Sequence, residues 1–195
     1  HLYCGDRLNP VEIAQIGQYA ENVYFGKPSG LMDQMASSVG GAVSIDFADP
    51  AAPVIRPVAV DLAAQGYGLC IVDSGADHAD LTAEYASIPK EMGEIAAFFG
   101  KKVLRQVEES EVMAQLPALR KAAGDRAVLR AMPFFRENHR AIEEAEALER
   151  GQFERFLSLV EESGRSSWMY LQNIAPTGSV SQQAIAVALM AAREA

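Results

Sequence analysis

The sequence predicts an α+β fold in which the strands lie in the first part of the chain and the rest is mainly helical. Side chains alternate from Ala42 to Phe47, with the apolar ones on one face, as in a half-buried strand. Beyond about residue 89, apolar residues recur at helical spacing. With 195 residues, of which 49% are hydrophobic and 22% charged, the chain can bury a substantial core.

The first predicted helix begins at Pro10 and extends to about Tyr24. Asn9 is a candidate N-cap, proline suits the first helical position, and Glu12 can complete a capping box. The apolar stripe of this helix consists of Ile13, Ile16, Ala20 and Val23.

A second, shorter helix follows the Pro28-Ser29-Gly30 turn. Leu31, Met35 and Val39 recur at i, i+4 and i+8, which places them on one helix face. The pair Gly40-Gly41 then supplies the left-handed cap that ends the helix.

Asp33 and Gly30 make the start of this second helix a candidate binding site. Free backbone N–H groups and the positive end of the helix dipole stabilise a carboxylate in the first turn, where Asp33 and Gln34 lie. Gly30 has no Cβ, so another molecule can approach the backbone closely. The pattern alone favours a simpler interpretation, namely an acidic helix residue at a surface turn.

Two more strands are predicted after the alternating one. Residues 54–62 form the first of them, and Pro57 in its middle indicates an edge strand or a bulge. Gln65-Gly66 begins a plausible domain boundary. Residues 67–72 are nearly all apolar, as expected of a strand covered on both faces.

The remaining chain predicts a series of helices. They cover about residues 89–99, a segment before Gly124, residues 125–150 with a strained or kinked point at Pro133, residues 153–163, and a last helix after Pro176. Ser179 and Gln182 indicate a capping box at the start of the last helix.

Charge and cysteine usage exclude several classes of function. A formal net charge of −9 argues against binding the nucleic-acid backbone or an anionic membrane surface. It does not exclude ATP, because a local lysine or a backbone nest can hold a nucleotide with Mg²⁺. The two cysteines, Cys4 and Cys70, lack metal-like spacing, and a reducing cytoplasm fits them. No signal peptide or membrane-spanning run is present in the sequence.

The loop of residues 73–80 is the one place where metal-ligating residue types cluster. It contains three aspartates and His78, and carboxylates and imidazole are common metal ligands. The spacing matches no known site, so a solvated loop is the better interpretation and no metal is predicted.

Residues 24–34, Tyr-Phe-Gly-Lys-Pro-Ser-Gly-Leu-Met-Asp-Gln, followed by Ile45-Asp46, resemble the galactokinase branch of the GHMP small-molecule kinases. In that family a G-x-x-C-G-x-M-D-Q segment precedes a strand ending in Ile-Asp. The resemblance implies that Asp33 faces the sugar hydroxyl that is phosphorylated and that Gly30 contacts the sugar through its backbone. Ser29 stands where the family usually has cysteine.

The resemblance continues to about Tyr170 and marks Tyr85 as a further sugar contact. Galactokinases have a loop ending in a basic residue and histidine, then Ser-Glu-Tyr, where this chain has Asp77-His78 and Ala83-Glu84-Tyr85. Without the family, Tyr85 would be an ordinary packing residue. Asp77 in place of the basic residue leaves the identity of the sugar open.

Several family motifs do not occur in the sequence. These are the Pro-x-x-x-Gly-Leu-x-Ser-Ser phosphate loop, the N-terminal arginine with its Gly-Glu-His motif, and the late Gly-Gly-Gly strand. The chain starts at His1 with no initiator methionine and stops at Ala195 inside an apparent helix, so we expect it to be an internal piece of a longer protein. Such a truncation would explain all three losses. Residues 1–62 would be the end of a GHMP N-terminal domain and residues 63–195 most of the C-terminal domain.

The resemblance implies that the intact protein phosphorylates galactose with Mg-ATP, and that Asp33 orients the hydroxyl and accepts its proton. Two alternatives stay open: a kinase of another sugar, such as galacturonate or N-acetylgalactosamine, and a non-catalytic sugar-sensing protein of the same fold. The 195-residue chain is expected to be inactive by itself, to have unknown nucleotide-binding residues, and to self-associate through uncovered apolar faces.

Overall fold

The computed structural model describes residues 5, 7–75 and 82–194, and its architecture confirms the α+β class. Two strands, β1 (Ala42–Asp46) and β2 (Val54–Val58), form an antiparallel sheet. The α-helices of the described residues are α1 (Pro10–Tyr19), α2 (Met32–Val39), α3 (Thr82–Phe98), α4 (Glu109–Ala114), α5 (Leu116–Ala123), α6 (Asp125–Glu149), α7 (Phe153–Ser166) and α8 (Ala184–Glu194).

Helix α1 begins where the sequence predicts. The Asn9 side chain accepts a hydrogen bond from the Glu12 amide at 3.0 Å, and the Glu12 carboxylate accepts one from the Asn9 amide at 2.8 Å. This reciprocal pairing is the predicted capping box, and it satisfies two amides at the helix start. The chain then continues as a π-helical turn over Ala20–Tyr24, so the predicted end of the helical segment is also confirmed.

Helix α2 packs against α1 around a small core. Ala14, Leu31 and Met35 are buried, and Val11, Val39, Ile45, Phe47 and Ile55 surround them partly buried. Gly40 ends the helix with φ of 77°. Its ψ of 165° differs from the left-handed helical value, so the predicted stop is confirmed although the cap has another backbone conformation.

The sheet of the described residues consists of one hairpin, with Ala42 opposite Val58 and Asp46 opposite Val54. Pro57 pairs with Val43 inside β2, as an edge strand permits, because a proline cannot donate to a second neighbour. The second predicted strand is shorter than expected and ends at Val58.

The strand predicted over residues 67–72 is wrong. These residues form neither strand nor helix, and Leu69 and Ile71 are 85% and 97% exposed. A buried parallel-type strand needs neighbouring strands and covering layers. Within the described residues, β1 and β2 pair only with each other, so residues 67–72 have no strand partner there.

The main core lies among α3 to α6, which together with α7 and α8 we call the helical region (residues 82–194). Helix α6 contacts α3, α5 and α7 and thereby organises this region. The predicted long helix is confirmed, with Pro133 inside it. The buried cluster contains Ile95, Leu104, Val107, Val112, Leu119, Ala127, Val128 and Ala131.

Two predicted helix starts differ from the structure. Helix α3 begins at Thr82 rather than Pro89, so Pro89 lies inside it. Proline has no amide hydrogen to donate, and the carbonyl of Tyr85, four residues earlier, therefore lacks its usual helical partner. Helix α8 begins at Ala184, while Ser179 accepts a hydrogen bond from the Gln182 amide at 3.2 Å in a turn before the helix.

The hairpin is joined to the helical region by two ion pairs. Arg105 binds Asp46 through two hydrogen bonds of 2.6 and 2.9 Å, and Arg56 binds Glu149 at 3.0 Å. The Arg105 guanidinium holds the pKa of Asp46 below its usual value. Residues 7–58, which we call the N-terminal region, keep a separate small core, and the domain boundary near residue 62 stays a prediction.

Candidate functional site

The turn that carries Ser29 and Gly30 is fixed to the end of the first helical segment by side-chain hydrogen bonds. The Asn22 side chain accepts from the Ser29 amide at 2.7 Å, and the Gln18 side chain donates to the Ser29 carbonyl at 3.2 Å. The Ser29 hydroxyl donates to the Glu21 carboxylate. Both polar ends of the Ser29 peptide unit are therefore satisfied, which gives the turn one conformation.

The Glu21 carboxylate contacts three donors at this turn. Besides the Ser29 hydroxyl, Gln34 donates to it at 3.1 Å and Lys27 lies 3.4 Å away. These contacts, first the Ser29 hydroxyl and then Gln34, lower the pKa of Glu21. A cysteine at position 29 would be a weaker donor to this carboxylate, so the serine has a structural role in this chain.

Asp33 and Gly30 lie at the exposed edge of the same turn. Asp33 is the second residue of α2, and Leu31, which precedes that helix, provides no side-chain cap to its amides. A Cβ added to Gly30 would meet no atom within 4 Å, so the space beside its backbone is open. A polar ligand could therefore reach both the Gly30 backbone and the Asp33 carboxylate.

Gln34, the next residue of α2, leaves one buried polar atom without a partner. Its amide nitrogen donates to Glu21, while its buried carbonyl oxygen has no hydrogen bond. An unpaired buried acceptor is costly, and a ligand or ordered water commonly satisfies such an atom.

Tyr85 lies on α3, 59% exposed, at the wall of a cavity of about 890 Å³. The other walls come from residues 73–75, residues 172–176 and helix α8 with the segment before it. Gly30 and Asp33 are not among the described residues that line this cavity. The three predicted sugar contacts thus lie in two places, and their common role stays a prediction.

An ionic cluster around the buried Arg130, which lines this cavity, was missed by sequence reasoning. Arg130 of α6 is 1% exposed and donates to Glu91 at 3.0 Å and to the Ser87 hydroxyl at 2.7 Å. Arg126 also binds Glu91, at 2.9 Å. Burial opposes ionisation of Glu91, but the two guanidinium groups outweigh it and hold the pKa of Glu91 below its usual value.

One signal in the sequence could have indicated this cluster. Arg130 lies three residues after Ala127 and four before Phe134, on the apolar face of α6. An arginine in an apolar stripe requires a buried partner, since an unpaired charge is too costly to bury. The partner, Glu91, lies on another helix, and the sequence does not identify it.

The loop with metal-ligating residue types lies mostly outside the described residues, since Asp77, His78 and Asp80 fall within 76–81. In its described part, the Asp73 side chain accepts a hydrogen bond from the Gly75 amide at 2.8 Å. Among the described residues, no group of three or more His, Cys, Asp or Glu side chains could hold a metal ion. The described helices also include none that is long and apolar enough to cross a bilayer.

Comparison with known proteins agrees with the resemblance in the motif. Residues 1–41 match the model of the GHMP kinases N terminal domain. The galactokinase of Glaesserella parasuis serovar 5 is 36% identical over 156 residues, which are 80% of this chain and 40% of that protein. The galactokinase of Mycobacterium tuberculosis strain H37Rv is 36% identical over 152 residues, which are 76% of this chain and 40% of that protein.

A third relative, the galactokinase of Actinobacillus pleuropneumoniae serotype 3, is 36% identical over 142 residues. The match covers 73% of this chain and 36% of that protein. The chain thus spans about two fifths of the length of these relatives. Its motif, its N-terminal family match and this similarity lead to one conclusion: over most of its length the chain is similar to galactokinases, and its first 41 residues match the N-terminal domain of the GHMP kinases.

Proposed function

We propose that the full-length natural protein carrying this sequence is an ATP-dependent kinase that phosphorylates galactose, or a related sugar, at the anomeric hydroxyl. The observation that carries the proposal is the exposed Asp33 carboxylate in the first turn of α2, beside the open space at Gly30. The turn that presents them is held by the hydrogen bonds of Ser29, so the two groups keep a fixed relation.

In this proposal Asp33 orients the sugar hydroxyl by accepting its hydrogen bond and takes the proton late in the reaction. Phosphoryl transfer passes through a loose transition state, so positioning and electrostatics dominate and strong base catalysis contributes less. Gly30 leaves room for the sugar at the backbone, and Tyr85 donates or accepts a hydrogen bond through its hydroxyl.

ATP and Mg²⁺ are part of the proposal, but we assign neither to residues of this chain. The sequence contains no segment of the phosphate-loop pattern, and the described residues contain no cluster of metal-ligating side chains. ATP would supply the phosphoryl group when bound.

The proposal is tested by measuring ADP release from Mg-ATP by the full-length protein with galactose, galacturonate and N-acetylgalactosamine. We expect galactose to give the highest kcat/KM. A higher value for either of the other sugars would assign the protein to the alternative sugar kinase. Sugar binding without phosphorylation of any of the three would make it a non-catalytic sugar sensor and overturn the proposal.

For the 195-residue chain alone we propose no kinase activity and a tendency to self-associate. Helix α8 has no buried residue, and Val187 and Met190 are more than half exposed. Exposed apolar faces of this kind favour association. We expect no Mg-ATP affinity by calorimetry and dimers or larger species by light scattering, so millimolar or tighter Mg-ATP binding, or a clean monomer, would contradict this.

A further inference from the structure

Residues 171–177, which we call the strap, are fixed at both ends by groups at the cavity. At one end the Leu171 carbonyl accepts a hydrogen bond from the Arg130 guanidinium at 3.0 Å. At the other end, the Thr177 amide donates to the Glu84 carboxylate at 3.1 Å, and the Thr177 hydroxyl binds the same oxygen. The strap residues between these two points line the same cavity as Glu84 and Tyr85 of α3.

Arg130 holds α3 as well as the strap. Its guanidinium donates to the hydroxyl of Ser87 at 2.7 Å and to the carboxylate of Glu91 at 3.0 Å, both on α3. Ser87 in turn donates to the Glu84 carbonyl at 2.6 Å, in the part of α3 that carries Tyr85. One buried side chain therefore connects the turn of α3 around Tyr85 with the start of the strap.

One residue of the strap has a backbone conformation that needs stabilising contacts. Gln172 has φ of 54° and ψ of 44°, and no other non-glycine residue in the described part of the chain has a positive φ. A residue with a Cβ adopts this conformation only at a cost in free energy. Contacts on both sides compensate it, since the Gln172 amide donates to the Ser167 carbonyl at 2.8 Å and Arg130 binds the preceding carbonyl.

We propose that Arg130 and Glu84 are positioning residues that hold the strap against α3 and thereby fix the part of the cavity wall that the strap forms. That this wall bounds a sugar site rests on the proposed function, whereas the attachment of the strap does not. Neither residue needs to touch the sugar, because both act through the shape of the cavity. The strap sets how closely a ligand can be held against Tyr85.

Arg126 provides a matched control for Arg130. Both arginines are on α6, one turn apart, and both bind Glu91. Among the hydrogen bonds and ion pairs of the described residues, those of Arg126 reach Glu91 and not the strap. A variant at Arg126 therefore weakens the ionic cluster and leaves the strap attached.

The first experiment is amide hydrogen exchange on the 195-residue chain, measured in peptides covering residues 171–177. We expect Arg130→Met to raise the exchange rate of the strap by about tenfold or more, since it removes the attachment at Leu171. Thr177→Val should raise it by a smaller factor, since it removes the hydroxyl bond to Glu84 and keeps the amide bond. Arg126→Met should leave it within about twofold of wild type. Thr177 is exposed, so its variant should fold even if Arg130→Met does not.

The second experiment measures galactose kinetics of the full-length protein. Thr177→Val and Arg130→Lys should raise KM for galactose by roughly threefold to tenfold with kcat within about twofold, and Arg126→Met should change neither. A loss of folding would lower the amount of active enzyme and leave KM unchanged.

The outcomes test separately whether the strap is attached and whether it positions the sugar. Strap exchange at the rate of a free peptide in the wild type, or no increase in Thr177→Val, would overturn the attachment. Faster exchange with unchanged KM would overturn the positioning of the sugar. If the full-length protein phosphorylates no sugar, the proposed function fails, while the exchange experiment still decides whether Arg130 and Glu84 fix the cavity wall.

Discussion

The N-terminal region and the helical region contain different parts of the candidate site and are stabilised differently. In the N-terminal region the buried cluster has three apolar residues, and Asp33 lies exposed in the helix after a turn that side-chain hydrogen bonds hold. In the helical region eight apolar residues form a buried cluster, and Tyr85 lies beside a buried ionic network. A short motif can thus present an exposed carboxylate with little core, whereas a cavity wall needs contacts between distant elements.

The largest expected effect is at Asp33, in the region with the small core. In the full-length protein, Asp33→Asn should lower kcat by roughly 10² or more, the lower part of the range for a general base. Galactose affinity should change little, because asparagine keeps the shape and one acceptor. Steady-state kinetics and galactose titration measure the two effects.

Asp49→Asn is the control for this variant, since Asp49 is also exposed and lies in the hairpin turn. It should leave kcat unchanged. Activity of Asp33→Asn within a few-fold of wild type would remove Asp33 from the mechanism.

Truncating a buried side chain should lower the free energy of unfolding more in the large core than in the small one. Leu119 lies in the large cluster and Met35 in the small one, and both are 0% exposed. Leu119→Ala should lower the free energy of unfolding by about 3–5 kcal/mol and Met35→Ala by nearer 2 kcal/mol, because the smaller core can relax around the deletion. Urea unfolding of the 195-residue chain measures both, and equal losses would show that the two cores are packed equally well.

Removing the Tyr85 hydroxyl should have a smaller effect, and only on sugar binding. Tyr85→Phe in the full-length protein should raise KM for galactose about tenfold, the loss of one hydrogen bond of roughly 1–1.5 kcal/mol. Tyr67→Phe is the control, because the Tyr67 hydroxyl lies near Glu154 and outside the cavity. A lower melting temperature of Tyr85→Phe with unchanged KM would make Tyr85 a packing residue.

The smallest expected effect is on the pH dependence of stability. The folded pKa of Glu91 lies below its ordinary value of 4.5, so its contribution is present above pH 4.5 and is lost as the pH falls through the folded pKa. Glu91→Gln should flatten this acid loss in urea unfolding curves more than Glu21→Gln, because the Glu91 side chain is more buried. If Glu21→Gln flattened the acid loss more than Glu91→Gln, the carboxylate with the larger effect on stability at low pH would be in the N-terminal region.

Local signals predicted the N-terminal region well. The capping box at Asn9, the stripe of α2 and the alternation in β1 each involve residues within a few positions of one another, so backbone and capping preferences suffice. The turn of Gly30 and the position of Asp33 at a helix start were predicted for the same reason. The hydrogen bonds of Ser29 to the preceding helical segment were not, because they depend on how the chain folds back.

Sequence patterns were enough to predict the α+β class, the long helix α6, the family motif and an exposed carboxylate at Asp33. They did not predict that residues 67–72 have no strand partner among the described residues, that α3 begins before Pro89, or that Arg130 joins Glu91 to Leu171. The physical reason is the distance along the sequence over which each kind of interaction acts. Helix caps and apolar periodicity act between near neighbours, whereas strand pairing and buried ion pairs join groups that are distant in the sequence and are stable only once a core excludes water.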